Sequence, residues 1–304
     1  MRRLAVSGRA AACAAIAGTC TLHALPIPAR AQDNYEIQVY GSETVVPGRT
    51  MLELHSNYTQ AGRRDVEKGL LPTDHAWHET IEVTQGLTTW AELGFYTFTS
   101  FRSGLGWRWV GNHIRPRVRA PETWRWPVGA SVSAEVGFQR REFSTDTWTL
   151  ELRPIIDKQL GRWYAALNPT IDRALRGENT ARGFEFSPNA AFGFDATSRV
   201  NIGVEYYGAL GPVRRFDPIP QQQHQLFGAI NLNVGPEWEI NTGVGQTLTA
   251  AGDRRLVKLI LGHRFGTPHS KLLKGLRTLP PESPSAALIR QAALPPVTCR
   301  GSLP

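Results

Sequence analysis

Residues 254–265 read Arg254-Arg255-Leu256-Val257-Lys258-Leu259-Ile260-Leu261-Gly262-His263-Arg264-Phe265. Val257, Leu259, Leu261 and Phe265 share one parity, with His263 the exception. Lys258, Gly262 and Arg264 share the other, with Leu256 and Ile260 mixed in. A period of two marks a strand, because successive side chains point to opposite faces. An apolar face backed by a charged one, ending in an aromatic, suits the closing strand of a transmembrane barrel. It suits an amphipathic strand of a soluble sandwich equally well, so the rest of the chain decides.

The alternation recurs upstream. Residues 128–139 are the cleanest case: Val128, Ala130, Val132, Ala134, Val136 and Phe138 alternate with Gly129, Ser131, Ser133, Glu135, Gly137 and Gln139. Further strands are predicted at 49–59, 76–85, 90–100, 106–119, 147–157, 163–172, 184–195, 199–208, 224–234 and 237–247. In 106–119 the faces are mixed, since Trp107 and Trp109 share parity with Arg115 and Arg117; a bulge near Gly111 reconciles them. The total, about twelve, is the even number that single-chain barrels adopt.

The connections decide between barrel and sandwich. Those after predicted strands two, six, eight and ten are short and the fourth is modest, whereas those after one, five, seven and nine are longer and more charged. Short turns at one end against longer loops at the other is the barrel pattern. Trp77, Trp90, Trp107, Trp124, Trp126, Trp163 and Trp238 fall near strand ends, where amphipathic rings sit at a membrane interface. The fold class expected is all-β: a transmembrane antiparallel up-and-down β-barrel of about 12 strands. Closure is physically required, since lipid offers no partner to an open sheet edge.

The front of the chain reads as a secretory signal peptide over 1–31. Arg2 and Arg3 open it, 10–17 is a short Ala-rich apolar run, and Ala29-Arg30-Ala31 is a small-x-small site. Cys13 and Cys20 lie within it and Cys299 stands alone, which excludes a disulfide framework and a cysteine metal site. Residues 32–48 are polar, contain Pro47, and are expected to form a periplasmic N-terminal segment before a barrel over 49–265. The tail, 266–304, is Pro-rich and basic and is expected to be disordered. The net charge of +8 is dispersed, with no aromatic–basic stripe, so no nucleic-acid partner is expected.

Several stretches carry a resemblance: residues 51–58 (Met51 to Tyr58), Gln85-Gly86-Leu87-Thr88, Arg153-Pro154-Ile155-Ile156-Asp157, Asn168-Pro169, Val204-Glu205-Tyr206-Tyr207-Gly208, Gly243-Val244-Gly245 and residues 258–265. In these the chain resembles a group of largely uncharacterised proteobacterial outer-membrane barrels, often called transporters or outer-membrane proteins of a phenol-degradation pathway (MetA-type). The resemblance implies a barrel in the bacterial outer membrane, made with the help of the barrel-assembly machinery. It is specific for the barrel type and not for a solute, and it supplies no catalytic residues. One departure stands out. Such barrels usually end at the closing aromatic, whereas here a tail follows Phe265.

The inward parities place Glu53, His55, Glu82, Glu92, Glu135, Glu151, Glu185, Asp195 and Glu205 in the lumen, with Arg115, Arg117, Arg153, Lys258 and Arg264 as cations. Mixed charge there means either a solvated pore wall or a salt-bridged filling that blocks flow. Inward Gly94, Gly129, Gly137, Gly193, Gly203 and Gly262 favour the pore. The expected function is a passive, porin-like channel for small molecules; the alternatives are a closed structural or envelope barrel and an outer-membrane lipid hydrolase. For hydrolysis, His55 and Ser56 are adjacent and so point to opposite faces. His75 and His78, three apart, do the same and read as rim residues, so no cofactor or metal site is expected. Loop residues Arg63, Arg64, Lys68, Arg140, Arg141, Arg214 and Arg215 suit the phosphates of lipopolysaccharide, which with outer-membrane lipids is the expected surround.

Overall fold

The computed structural model describes residues 34–268. The expected signal peptide (1–31) and nearly all of the expected tail (266–304) lie outside the described residues. Within them the chain forms β1 (Thr50–Ala61), β2 (Ala76–Gly86), β3 (Ala91–Arg102), β4 (Gly106–Arg119), β5 (Gly129–Gln139), β6 (Asp146–Leu160) and β7 (Trp163–Gly177). It continues through β8 (Phe184–Asp195), β9 (Val200–Ala209), the two-residue β10 (Gly211–Pro212), β11 (Gln223–Leu232), β12 (Trp238–Thr247) and β13 (Arg255–Phe265). Each long strand pairs antiparallel with both neighbours; β10 adds only a short edge to β8. The ring closes where β13 meets β1, from Thr50↔Phe265 to Ala61↔Arg255. The stretch 254–265 is therefore the closing seam of a twelve-stranded barrel.

The surface is inside-out relative to a soluble protein. Leu54, Ile81, Phe95, Val136, Leu152, Phe192 and Val204 are exposed, whereas Glu82, His55, Arg115, Arg153 and Lys258 are buried. All nine tryptophans are 41–61% exposed, which excludes a sandwich built around a tryptophan core. Trp90, Trp124, Trp126, Trp163 and Trp238 ring the end of short turns, and Trp77, Trp107, Trp109 and Trp148 ring the end of longer loops. Two aromatic belts bounding an apolar band are the signature of a lipid-facing wall. Even His263 fits, because it packs between Trp238 (4.3 Å, tilted) and Phe265 (4.5 Å, edge-on) in the turn-end belt.

The bulge in β4 lies beside Gly111. Phe98 pairs with Gly111 and Thr99 with Trp109, so Val110 is skipped. Parity flips there: Trp107 and Trp109 face lipid, while Val110, Arg115 and Arg117 face inward. One extra residue thus keeps both the aromatic belt and the lumen cations on their proper sides.

Residues 34–48, read from sequence as a periplasmic segment, lie inside the barrel instead. Asn34 sits at the loop end, bonded to Asp253, and Val46 turns into β1 at the other end through Arg49 N–H. Tyr35, Glu36, Ile37, Tyr40 and Ser42 are all buried. Two small apolar clusters form around this segment, one joining Tyr35 to Tyr96, Phe98 and Val110, the other joining Ile37 to Tyr207, Phe227 and Leu256. The segment enters because its apolar side chains find apolar inward partners that would otherwise face a wet lumen.

Candidate functional site

The lumen and its occupant form the candidate site. Between Asn34 and Val45 the segment makes no ladder with the wall, so its peptide groups need other partners. Wall side chains supply them in eight hydrogen bonds. Asn57 donates to Asn34 O (2.8 Å), Thr80 to Tyr35 O (2.6 Å) and Lys258 to Ile37 O (3.1 Å). Asn168 accepts from Tyr40 N–H (2.8 Å) and donates to Tyr40 O (3.0 Å). Arg117 donates to Gly41 O (3.2 Å) and Glu43 O (2.6 Å), and Glu92 accepts from Val45 N–H (2.6 Å).

At mid-height three arginines surround the Tyr40 ring. Arg115 lies 4.4 Å from its centroid, Arg153 4.8 Å and Arg117 5.7 Å. The Tyr40 hydroxyl donates to Glu36, whose carboxylate is also 3.4 Å from Arg153 and 3.9 Å from Arg115. Each arginine keeps a wall acid as well: Arg115 holds Glu82 at 2.6 Å, Arg117 holds Glu92 at 2.6 Å, and Arg153 holds Glu151 at 2.8 Å. Guanidinium suits this double duty, because its flat face stacks on the ring while its edges meet carboxylates. Lower down, Ser42 bonds Asp157 (2.6 Å) and Gln38 reaches Glu239 (3.4 Å).

The sequence-derived lumen residues divide into groups. Glu92, Arg115, Arg117, Glu151 and Arg153 meet around the segment, with Glu135 bonded to His113 beside them. Lys258 and Glu205 pair against Tyr207 on the far side. Glu185 sits at the loop end with Arg182, and Arg264 at the turn end with Glu239 (2.9 Å). Glu53, His55 and Glu82 gather on β1 and β2. His78 is no rim residue: it is buried, bonded to Thr59 (3.1 Å) and edge-on to Tyr35. Glu36, Tyr40, Asn168 and Asp157 carry the segment's contacts and were not among the lumen residues read from the sequence, although Asn168 and Asp157 fall in stretches that carry the resemblance. The detectable signal was the alternation Tyr35-Glu36-Ile37-Gln38-Val39-Tyr40, matched by the apolar inward Leu256 and Ile260.

The inward glycines make room for neighbours and do not widen a pore. A Cβ on Gly129 would strike Asp157 and Ser42, one on Gly137 would strike His113, and one on Gly262 would strike Met51 and Glu53. What free space remains beside Glu36 is a cavity of about 80 Å³, reached by Tyr35, His113, Glu135 and Arg153. That volume holds a few waters and no larger solute.

No family profile matches the chain, and no relative is found among curated proteins. Solved structures do match. The COG4313 outer membrane channel from Pseudomonas putida F1 aligns at a TM-score of 0.51 and 12% identity, over 76% of this chain and 100% of that one. The KdgM porin aligns at 0.45 and 8%, over 71% and 99%, and Omp33 of Acinetobacter baumannii at 0.40 and 10%, over 72% and 99%. At 12% identity the first likeness establishes the fold. The chain is a transmembrane barrel of the bacterial outer-membrane type.

Proposed function

We propose that this barrel is a passive outer-membrane channel for small molecules, with residues 34–48 as a resident plug. The carrying observation is the bracketing of the segment's peptide groups by wall side chains, most of all at Tyr40. A net gain of about 1 kcal/mol per hydrogen bond makes three of them enough to hold an open form below about one per cent. The resting lumen is therefore filled, and passage requires the segment to yield. Arg115, Arg117 and Arg153, which face Tyr40, become the charge-selective lining when it does. The similar Pseudomonas putida F1 structure is that of an outer membrane channel, which supports this reading.

A closed structural barrel is the second reading, favoured by the same dense network. Liposome swelling separates the two. The channel reading expects purified mature protein to admit small anionic and neutral solutes at a low rate that rises when the segment is loosened. Impermeable liposomes with every variant would establish the closed barrel. We assign no hydrolytic role: His55 points inward, while Ser56 bonds Glu79 (2.7 Å) on the outer face. Lipopolysaccharide around the basic loops and the assembly machinery remain the partners we propose.

A further inference from the structure

A second group of titratable side chains meets in the wall, joined to the contacts around Tyr40 through the Glu82–Arg115 pair. Glu53 and His55 stand two residues apart on β1 and project inward together. Glu82 on β2 is the direct register partner of Glu53. Glu53 is 6% exposed, and His55 and Glu82 are fully buried at 0%. One ligand atom from each, an imidazole nitrogen and two carboxylate oxygens, all lie within 4.8 Å of one another.

What marks this cluster is the set of atoms left over. His55 Nε2 lies 3.6 Å from Glu82 Oε2, too far for a hydrogen bond. Neither ring nitrogen of His55 has a hydrogen-bond partner, and neither does Glu53 Oε1 or Glu82 Oε2. Among the described residues Glu53 has no ion-pair partner either. Glu82 differs: its Oε1 is held by Arg115 Nη2 (2.6 Å) and by the Thr84 hydroxyl (2.6 Å). Arg115 and Thr84 thus fix the Glu82 carboxylate with its other oxygen turned toward His55.

A buried imidazole with both nitrogens unused and two facing acids with unused oxygens are each unfavourable. A single divalent cation would engage three of these four atoms, one nitrogen of His55 and one oxygen of each acid. It offsets the two carboxylates, takes one lone pair from each residue, and leaves Arg115 as the group that orients Glu82. One imidazole and two carboxylates form a borderline-hard donor set, suited to Zn²⁺ and its neighbours and not to Cu(I). Bonds of ~2.0–2.2 Å would bring the ligand atoms to roughly 3.4 Å apart, a short closure for glutamate side chains.

We propose that Glu53, His55 and Glu82 form a binding site for a divalent transition cation of the Zn²⁺ class, clamping β1 to β2 beside the closing seam. The site stands independently of the channel reading, because it is built by strand register and tested without any transport assay.

The test uses the refolded mature chain, stripped with chelator and then titrated with Zn²⁺ in detergent micelles, with Mg²⁺ as the comparison ion. Calorimetry is expected to show one saturable Zn²⁺ site per chain and none for Mg²⁺. His55→Gln and Glu53→Gln should each weaken it at least about tenfold while keeping heat-modifiable gel mobility. X-ray absorption of the Zn²⁺-loaded wild type needs no variant and should show one imidazole among oxygen ligands. Absence of saturable uptake by the wild type, equal uptake by wild type and His55→Gln, or a spectrum without imidazole would each overturn the proposal.

Discussion

The carboxamide of Asn168 brackets the peptide of Tyr40: Oδ1 accepts its N–H at 2.8 Å and Nδ2 donates to its carbonyl at 3.0 Å. This is the pair of bonds an adjacent strand would provide. A wall side chain stands in for a strand, so the segment crosses the lumen with its backbone paired and yet belongs to no sheet. Asn168 is fully buried, and among the described residues its carboxamide bonds Tyr40 alone.

Replacing Asn168 by Leu removes both bonds at nearly constant volume. About 2 kcal/mol of restraint is lost, or roughly thirty-fold in the population of the displaced segment. Single-channel recordings should show frequent openings in Asn168→Leu that are rare in the wild type, with unchanged heat-modifiable mobility. Identical traces from the two proteins would show that Tyr40 is not a restraint.

Lys258 is buried and donates to Glu205, to Ile37 O (3.1 Å) and to the Tyr207 hydroxyl (3.3 Å). Lys258→Met leaves Glu205 buried without its cation, a loss of about 3–5 kcal/mol. Guanidinium unfolding of the refolded barrel should show that drop. Adding Glu205→Gln should restore most of it, since the stranded charge is then gone. A double variant as unstable as the single one would place the damage elsewhere.

Val110 is the extra residue in β4. Deleting it makes Trp109 and Gly111 consecutive opposite Thr99 and Phe98, so Trp107 and Trp109 still face lipid and Arg115 and Arg117 still face inward. What is lost is the Val110 side chain, which packs inward with Tyr35, Tyr96 and Phe98. The deleted chain should keep its heat-modifiable folded band and lose about 1.5–3 kcal/mol in guanidinium unfolding. Loss of the folded band would show that the bulge itself is needed for assembly.

The wall was legible because lipid imposes a strict rule on sequence. Lipid-facing positions are mostly apolar, so Val128 to Gln139 could be read almost residue by residue, and β4 and β8 were bounded at 106–119 and 184–195 as they occur. Even the disorder of parity around Trp109 and Arg115 pointed to the bulge. The interior obeys no such rule. Residues 34–48 looked like a polar linker because their peptide groups are met by side chains scattered over β1, β2, β3, β4, β7 and β13, which no local pattern reveals. Leu256 and Ile260 were noticed as misfits on the charged face, and Leu256 proves to pack on Ile37. The grouping of Glu53 and His55 with Glu82 was invisible for a related reason. It depends on the register of two strands, whereas a search for nearby histidines finds His75 and His78, whose side chains diverge.

The central claim is that residues 34–48 fill the lumen of a channel. Single-channel conductance of the mature chain against one lacking residues 34–46 tests it most directly. The deleted chain keeps every strand and leaves Arg115, Arg117, Arg153 and Glu92 to be solvated by water. The account predicts rare, small openings in the full chain and a large, steady conductance in the deleted one. Equal conductance in both, whether high or absent, would contradict it.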